Sequence, residues 1–340
     1  MNLTNKSYRS QLIAFTVLFC ICVLLNLSVG SLSISLADFW NIISSNEQNT
    51  NLNYILFNYR MPKAIASILA GVGLGISGLL MQTYFRNPLA GPFVLGISSG
   101  ASLGVAVLIM GSSLLGFSTF IFNYSLPLAA SIGALFVLTT VMIASRNLKN
   151  TLSILIIGLM FGSFTSAIIS VLSYFSSANE LQQYIFWSLG SLGNLQWKEI
   201  YLLLALETIC LLFLIKIAKP LDALLLGENY AKSMGVNLKK TQTSIFIITS
   251  VLTGCITAFM GPIAFVGLAI PHLTKLIFKN ANHLVLMPAV GLIGAIVLLL
   301  CDTVSHIPIN HKHLPINATT SLLGAPVVIW LLVSKSRQFL

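Results

Sequence analysis

Charge is what this sequence has least of. Of 340 residues, 18 are lysine or arginine and 8 are aspartate or glutamate, which makes 8% of the chain charged. A soluble domain carries roughly 25%. So few charges cannot cover a water-facing surface, which excludes a soluble globular domain, a disordered chain and a nucleic-acid-binding domain. Catalytic equipment is missing too. The pair Gly-Lys never occurs, so the chain has no Gly-x-x-x-x-Gly-Lys-Ser/Thr loop to cradle nucleotide phosphates. It has no His-Glu-x-x-His zinc helix and no paired carboxylates for acid–base work. Cys20, Cys22, Cys210, Cys255 and Cys301 lie in or beside apolar runs without zinc-ligand spacing and read as small buried hydrophobes.

What the sequence has is apolar length. Hydrophobic residues make up 56% of the chain and the mean hydropathy is +0.92. A membrane-crossing helix needs about 20 predominantly apolar residues. Ten such stretches stand out, near 11–29, 64–84, 93–116, 121–144, 151–175, 199–218, 243–260, 263–278, 283–303 and 316–334. They are continuous rather than alternating, which excludes a β-barrel. The eighth is short, and its Gly-Pro start points to irregular packing against neighbours. The first follows Lys6 and Arg9 but has no small-residue cleavage site, and reads as an uncleaved helix.

The loop charges give an orientation. With the N-terminus in the cytoplasm and sides alternating, Lys6, Arg9, Arg86, Arg146, Lys149, Lys216, Lys219, Lys232, Lys239, Lys240, Lys275, Lys279, Lys335 and Arg337 fall inside. Only Arg60, Lys63, Lys198 and Lys312 fall outside. This bias is the positive-inside signature and supports both the count of spans and cytoplasmic termini. The net charge of +10 is therefore a topology signal, not a nucleic-acid footprint.

Two segments look alike: Gly91-Pro92-Phe93-Val94-Leu95-Gly96 and Gly261-Pro262-Ile263-Ala264-Phe265-Val266-Gly267. One joins the second span to the third, the other the seventh to the eighth. An offset of five spans is odd, so the copies have opposite orientations, as in the inverted repeats of transporters. Gly71 and Gly75, Gly100 and Gly104, and Gly158 and Gly162 are each four apart. Such spacing lets helix backbones approach closely, within one chain or between two copies.

Ionisable groups inside spans mark function or structural bonding. Glu207 lies near the middle of the sixth span, where a hydrogen bond to a neighbouring helix is favoured over a proton relay. Asp302 near the outer end of the ninth span reads as a helix-end acid bonded locally or solvated. His306, His311 and His313 cluster in the last outer loop and read as polar loop residues rather than a metal site.

The longest inner loop, 219–240, is set off from the sixth span by Pro220. Within it Glu228–Met234 reads as a short helix, with Gly227 and Glu228 at its start and Gly235 as a left-handed stop. Leu221, Leu224, Leu225 and Met234 form an apolar patch facing the cytosol. Such a patch marks a docking surface, a helix lying on lipid, or a local cap over the bundle.

Several segments, in order along nearly the whole chain, resemble the FecCD-type permeases, membrane subunits of ATP-driven importers for iron-siderophores, haem and cobalamin. They are Arg60-Met61-Pro62-Lys63; the run Gly71, Gly75, Ser77-Gly78, Gln82, Asn87-Pro88-Leu89-Ala90, Leu95-Gly96 and Gly100-Ala101; and Leu226-Gly227, Ala231 and Gly235-Val236 in the inner loop. Then come Gly261-Pro262, Gly267, Pro271-His272, Asp302-Thr303, Leu314-Pro315-Ile316 and Gly324-Ala325-Pro326. The resemblance implies an all-α membrane protein, 1–340, of ten helices with an inverted repeat, in the type II ABC importer permease fold. It implies a second permease copy, two cytosolic ABC ATPase subunits that dock on the segment Leu221–Val236, and an extracytoplasmic substrate-binding protein that meets Arg60, Lys63 and His306. ATP and Mg are then used by the ATPase partner, and no cofactor is bound by this chain. The sequence departs from the family pattern at His306, where a basic residue is common, at His313, where an acid is common, and at Ala264, where a third glycine is common.

Overall fold

The computed structural model describes residues 2–30, 51–111, 122–145, 148, 151–306 and 314–336. Asp38, Glu47, Arg146, Lys149, His311, Lys312, His313 and Arg337 lie outside the described residues.

The described chain is helical: α1 (Asn2–Ser28), α2 (Asn51–Ile55), a π-helical turn (Leu56–Arg60), α3 (Met61–Tyr84), a 3-10 turn (Pro92–Leu95), α4 (Ile97–Met110), α5 (Phe122–Ser145), α6 (Thr151–Phe175), α7 (Ala178–Ser188), α8 (Trp197–Leu225), α9 (Glu228–Ser233), α10 (Leu238–Met260), α11 (Val266–Phe278), α12 (His283–Ser305) and α13 (Ile316–Ser336). Among the described residues seven helices are long and apolar enough to cross a membrane, and three shorter apolar helices bring the number to ten. The ten coincide with the ten apolar stretches.

Local chemistry sets the ends. Helical backbone runs on from the π-helical turn into α3, and Pro62 lies at that junction, where its missing N–H removes one bond of the regular ladder. Ser177 with Glu180 and Gln196 with Glu199 form capping boxes at α7 and α8. Asn237 and Asn282 cap α10 and α12 through their side-chain oxygens.

Helix α3 is the hub, buried along most of its length between α12, α11, α10 and α8. Small residues allow this. A Cβ on Gly71 would overlap the Gly294 carbonyl, and one on Gly78 would overlap the Gly267 carbonyl. The glycines of the second pair meet Gly133 and Ala129 of α5, and Gly158 meets the Val94 carbonyl. These glycine spacings thus serve packing within the chain. Gly162 is the exception and keeps more room, with Ser99 Oγ 3.4 Å from where its Cβ would stand. The faces of α1 and α6 are largely exposed and apolar, as lipid contact requires, and Cys20 lies on one of them.

The packing is internally symmetric. α3 packs on α12 as α10 packs on α5, and α3 meets α11 as α10 meets α4. The neighbours α4–α5, α4–α6 and α5–α6 are matched by α11–α12, α11–α13 and α12–α13. Ring contact joins Tyr84 at the end of α3 to Phe246 near the start of α10, so the two related helices run antiparallel. That is an inverted repeat.

Three expectations change. The third stretch forms a helix of only 14 residues, because Pro92–Leu95 is a 3-10 turn and Gly96 is left-handed at φ 70°. The residue equivalent to Gly96 in the second half is Phe265, left-handed at φ 65° just before α11, not Gly267. A bulky residue there is strained. Gly324 makes room for it, since a Cβ on Gly324 would crowd Phe265. Finally, Pro220 does not end the sixth span: α8 runs on to Leu225, held by the burial of Leu221, Ala223 and Leu224.

Candidate functional site

Two clusters stand out, one at each end of an otherwise apolar bundle. One end gathers Tyr8 and Phe278 in ring contact and the hydrogen-bonded pairs Asp222–His283, His283–Thr83 and Lys275–Gln82. The opposite end gathers Asn26, Arg60, Lys63 and Asp302. The strands of sequence that alternate between these ends do so as the span count requires.

At the first end lies the elbow between α8 and α10. Gly227 turns the chain at φ 115°, and α9 follows. α9 stops at Gly235, φ 82°, in a pair of bonds from Gly235 N–H to the Lys232 carbonyl and from Val236 N–H to the Ala231 carbonyl. This is a Schellman closure, which needs a left-handed residue. The apolar patch read from the sequence divides here. Leu221, Leu224 and Ala231 are buried and fasten the elbow to the bundle, and Leu225 and Val236 are half-buried. Leu226 (66% exposed) and Met234 (61%) face outward. Tyr230, at 51%, stands between them and was missed. Its place two residues into a short helix that follows the exposed Leu226 was the signal that could have found it.

The first end also holds the family-like motif residues. Asn87 Oδ1 accepts from Leu89 N–H, an Asx turn before Pro88 that redirects the chain out of α3. Gln82 Nε2 donates to the Leu268 carbonyl at 3.0 Å. Pro271 lies inside α11. At the far end of α10 the Gly261-Pro262 turn is gripped from two sides. Ser191 N–H donates to the Met260 carbonyl, and Asn317 Oδ1 accepts from Ala264 N–H. Gly261, at φ 77°, leaves no room for a side chain against Trp187. Asn317 was not picked out from sequence, since its partner lies 53 residues away.

At the opposite end, a cavity of about 370 Å³ is lined by Asn26, Arg60, Lys63, Asp302 and His306 among others. Lys63 and Asp302 form an ion pair at 2.9 Å, with Asp302 almost fully buried. Asn26 Nδ2 donates to the second carboxylate oxygen at 2.9 Å. Arg60 donates to the carbonyls of Leu27 (2.5 Å) and Ser28 (3.1 Å), closing the C-terminus of α1. His306 Nε2 stands 3.8 Å from Asp302. Asp302 is thus a locally bonded acid, and Lys63 is turned inward to it.

Glu207 is buried between α3, α8 and α10 beside Leu203, Leu252 and Ile256, and among the described residues its Oε1 has no hydrogen-bond partner. A second cavity, of about 560 Å³, is lined by apolar side chains of α1, α3, α8 and α12. It offers nothing to recognise a polar solute.

Comparison with known proteins is consistent with this architecture. The sequence pattern of the FecCD transport family matches residues 18–334. The Hemin transport system permease protein HmuU of Yersinia pestis is 35% identical, over 95% of this chain and 95% of its own. The Vitamin B12 import system permease protein BtuC of Shigella boydii is 34% identical over 96% and 95%. Among solved structures, an inward-facing chain described as a metal-chelate type ABC transporter superposes with a TM-score of 0.81 at 29% identity, covering 96% of this chain and 99% of its own. PsaBC from Streptococcus pneumoniae shares the fold at a TM-score of 0.53 and 15% identity. A family pattern matched over residues 18–334, with relatives 34–35% identical over almost the full length, settles the affiliation: this chain belongs to the FecCD transport family.

Proposed function

We propose that the chain is the membrane permease of an ATP-binding-cassette importer, carrying a metal chelate such as haem or an iron-siderophore, or cobalamin, into the cytoplasm by alternating access. The observation that carries this reading is the exposed Leu226–Tyr230–Met234 stripe. It projects from a bundle that has no nucleotide loop of its own, at the end the basic residues assign to the cytoplasm. A separate ATPase, using ATP and Mg, grips that stripe. A second copy of the permease completes the path, in a bacterial cell membrane with both termini cytoplasmic.

At the other end, Arg60, Lys63 and His306 line one cavity, and this is where an extracytoplasmic binding protein docks. Its acidic residues meet a rim in which Lys63 is paired with Asp302, Arg60 holds the end of α1 and His306 stands beside Asp302. Such rim charges chiefly set register and encounter rate.

Co-purification tests the reading. The permease expressed with its ATPase subunits is expected to retain them on an affinity column. Leu226→Asp with Met234→Asp is expected to lose them while the permease stays folded. Retention by the double variant contradicts the proposed docking surface.

One observation favours a second reading, a carrier driven by an ion gradient: the buried Glu207 carboxyl, whose Oε1 has no hydrogen-bond partner among the described residues. Glu207→Gln keeps the size and removes the titratable group. Unchanged ATP-driven uptake in this variant speaks for the importer. Its abolition, with gradient-driven uptake in the wild type lacking the ATPase, speaks for the carrier.

A further inference from the structure

We infer that Asp222, His283 and Thr83 form a buried link that transmits movement of the Leu226–Gly235 elbow to α3, with His283 as its positioning residue. This rests on the importer reading given above.

Asp222 lies in the last turns of α8, four residues before Leu226. Its Oδ1 accepts two hydrogen bonds from a single residue. One comes from the backbone N–H of His283, at 2.9 Å, and one from ring Nδ1, at 2.6 Å. A carboxylate there also suits the N-terminus of α12, where free N–H groups and the helix dipole favour negative charge. The ring bond sets the tautomer: Nδ1 carries a proton, and in the neutral ring Nε2 is left to accept. Thr83 Oγ1 stands 2.8 Å from Nε2. The side chain of His283 has no exposure and that of Asp222 is 35% exposed, while Thr83 is fully buried. The link therefore runs from the wet edge of the elbow into the core, across α8, α12 and α3.

It continues one residue along. Gln82, beside Thr83, donates to the Leu268 carbonyl, and its Oε1 accepts from Lys275 Nζ at 3.4 Å. Leu268 follows the left-handed Phe265 by three residues. Two adjacent side chains at the end of α3 thus hold α12 and α11, and α12 holds the elbow.

Capping alone does not account for the arrangement. Asn282 already caps α12 by accepting from Leu284 N–H at 2.8 Å. The imidazole and the Thr83 hydroxyl add bonds that a cap does not use, each to a different helix. Breaking any of them strands a buried polar group, so displacement of α8 draws α12 and α3 with it.

The test uses the full permease with its ATPase subunits in proteoliposomes, carrying nitroxide labels at Leu276 on α11 and Ile143 on α5, both exposed. The fraction of molecules whose label distance shifts on trapping with ATP and vanadate is the readout, and it needs no knowledge of the cargo. Thr83→Val is close to isosteric and removes only the hydroxyl. His283→Asn keeps an N–H for Asp222 and loses the reach to Thr83. Both are expected to cut the shifted fraction about fivefold, a typical lower value for coupling between sites, while the ATPase stays bound; the buried polar group that each leaves unpaired lowers the melting midpoint by a few degrees, with the permease still folded at the assay temperature. Thr83→Ser, which restores the hydroxyl, is expected to shift like the wild type. A full shift in Thr83→Val and His283→Asn overturns the inference. So does a loss in Thr83→Ser equal to that in Thr83→Val, which would mark a packing role. A wild type that shows no ATP-dependent shift at all instead removes the importer reading beneath it.

Discussion

Lys63 and Asp302 show how tightly the bundle constrains a charge. A carboxylate this buried is stable only with its partners in place, here one ammonium and the Asn26 amide. Removing one partner of a buried pair costs about 3–5 kcal/mol, whereas an apolar replacement of both is often tolerated. Lys63→Met and Asp302→Asn should therefore each lower the thermal unfolding midpoint in detergent markedly, and Lys63→Met with Asp302→Leu should recover much of the loss. Additive losses in the double variant would contradict the pairing. The sequence announced Lys63 as an outer-face cation through its place after Arg60-Met61-Pro62. It could not announce the partner, which lies 239 positions further on. Gly78 is a second residue-scale case. Its motif was legible, but its reason, contact with the Gly267 carbonyl, is a matter of folded geometry. Gly78→Val should abolish accumulation of folded protein, because a side chain there meets backbone that cannot swing aside. Gly162→Ala, with more open space, should leave expression and the melting profile unchanged. Size-exclusion profiles of the two variants check both.

At the scale of elements, the elbow was read well where the signal was local. The short helix α9 and the left-handed Gly235 follow from residue types that few other conformations suit. The reading failed at Pro220, because proline forbids only a bond and a contact in the preceding turn, and burial of Leu221 and Leu224 outweighs that loss. The same burial splits the apolar patch into anchor and contact. The prediction is a difference in kind between two substitutions. Leu224→Asp buries an unpaired charge and should destabilise the permease itself, visible as a lowered melting midpoint. Leu226→Asp should leave the melting midpoint alone and weaken only the hold on the ATPase. Equal melting losses in both would show the elbow to be a cap and not a handle. The Gly-Pro segments were recognised as copies from composition. Their register was one step beyond sequence reading, because the left-handed position is glycine in one copy and phenylalanine in the other.

At the scale of the whole molecule, ten apolar stretches and their loop charges were legible because the bilayer imposes length and sign on any chain that crosses it. The symmetry of packing, in which each pair among α3–α6 has a counterpart among α10–α13, was legible only as a hint from two short segments. The arrangement gives a bundle whose hub, α3, reaches the polar cavity at one end and the elbow at the other. A motor pulling on the elbow has a mechanical route to the outer face through one buried helix. The most direct measurement of this account is solute uptake into proteoliposomes holding the permease with its ATPase subunits, with hemin and cyanocobalamin delivered as probes by the cognate binding protein. The account predicts accumulation of one of them that requires ATP on the elbow side and vanishes without the ATPase. Accumulation by the permease alone, driven by an ion gradient, would contradict it.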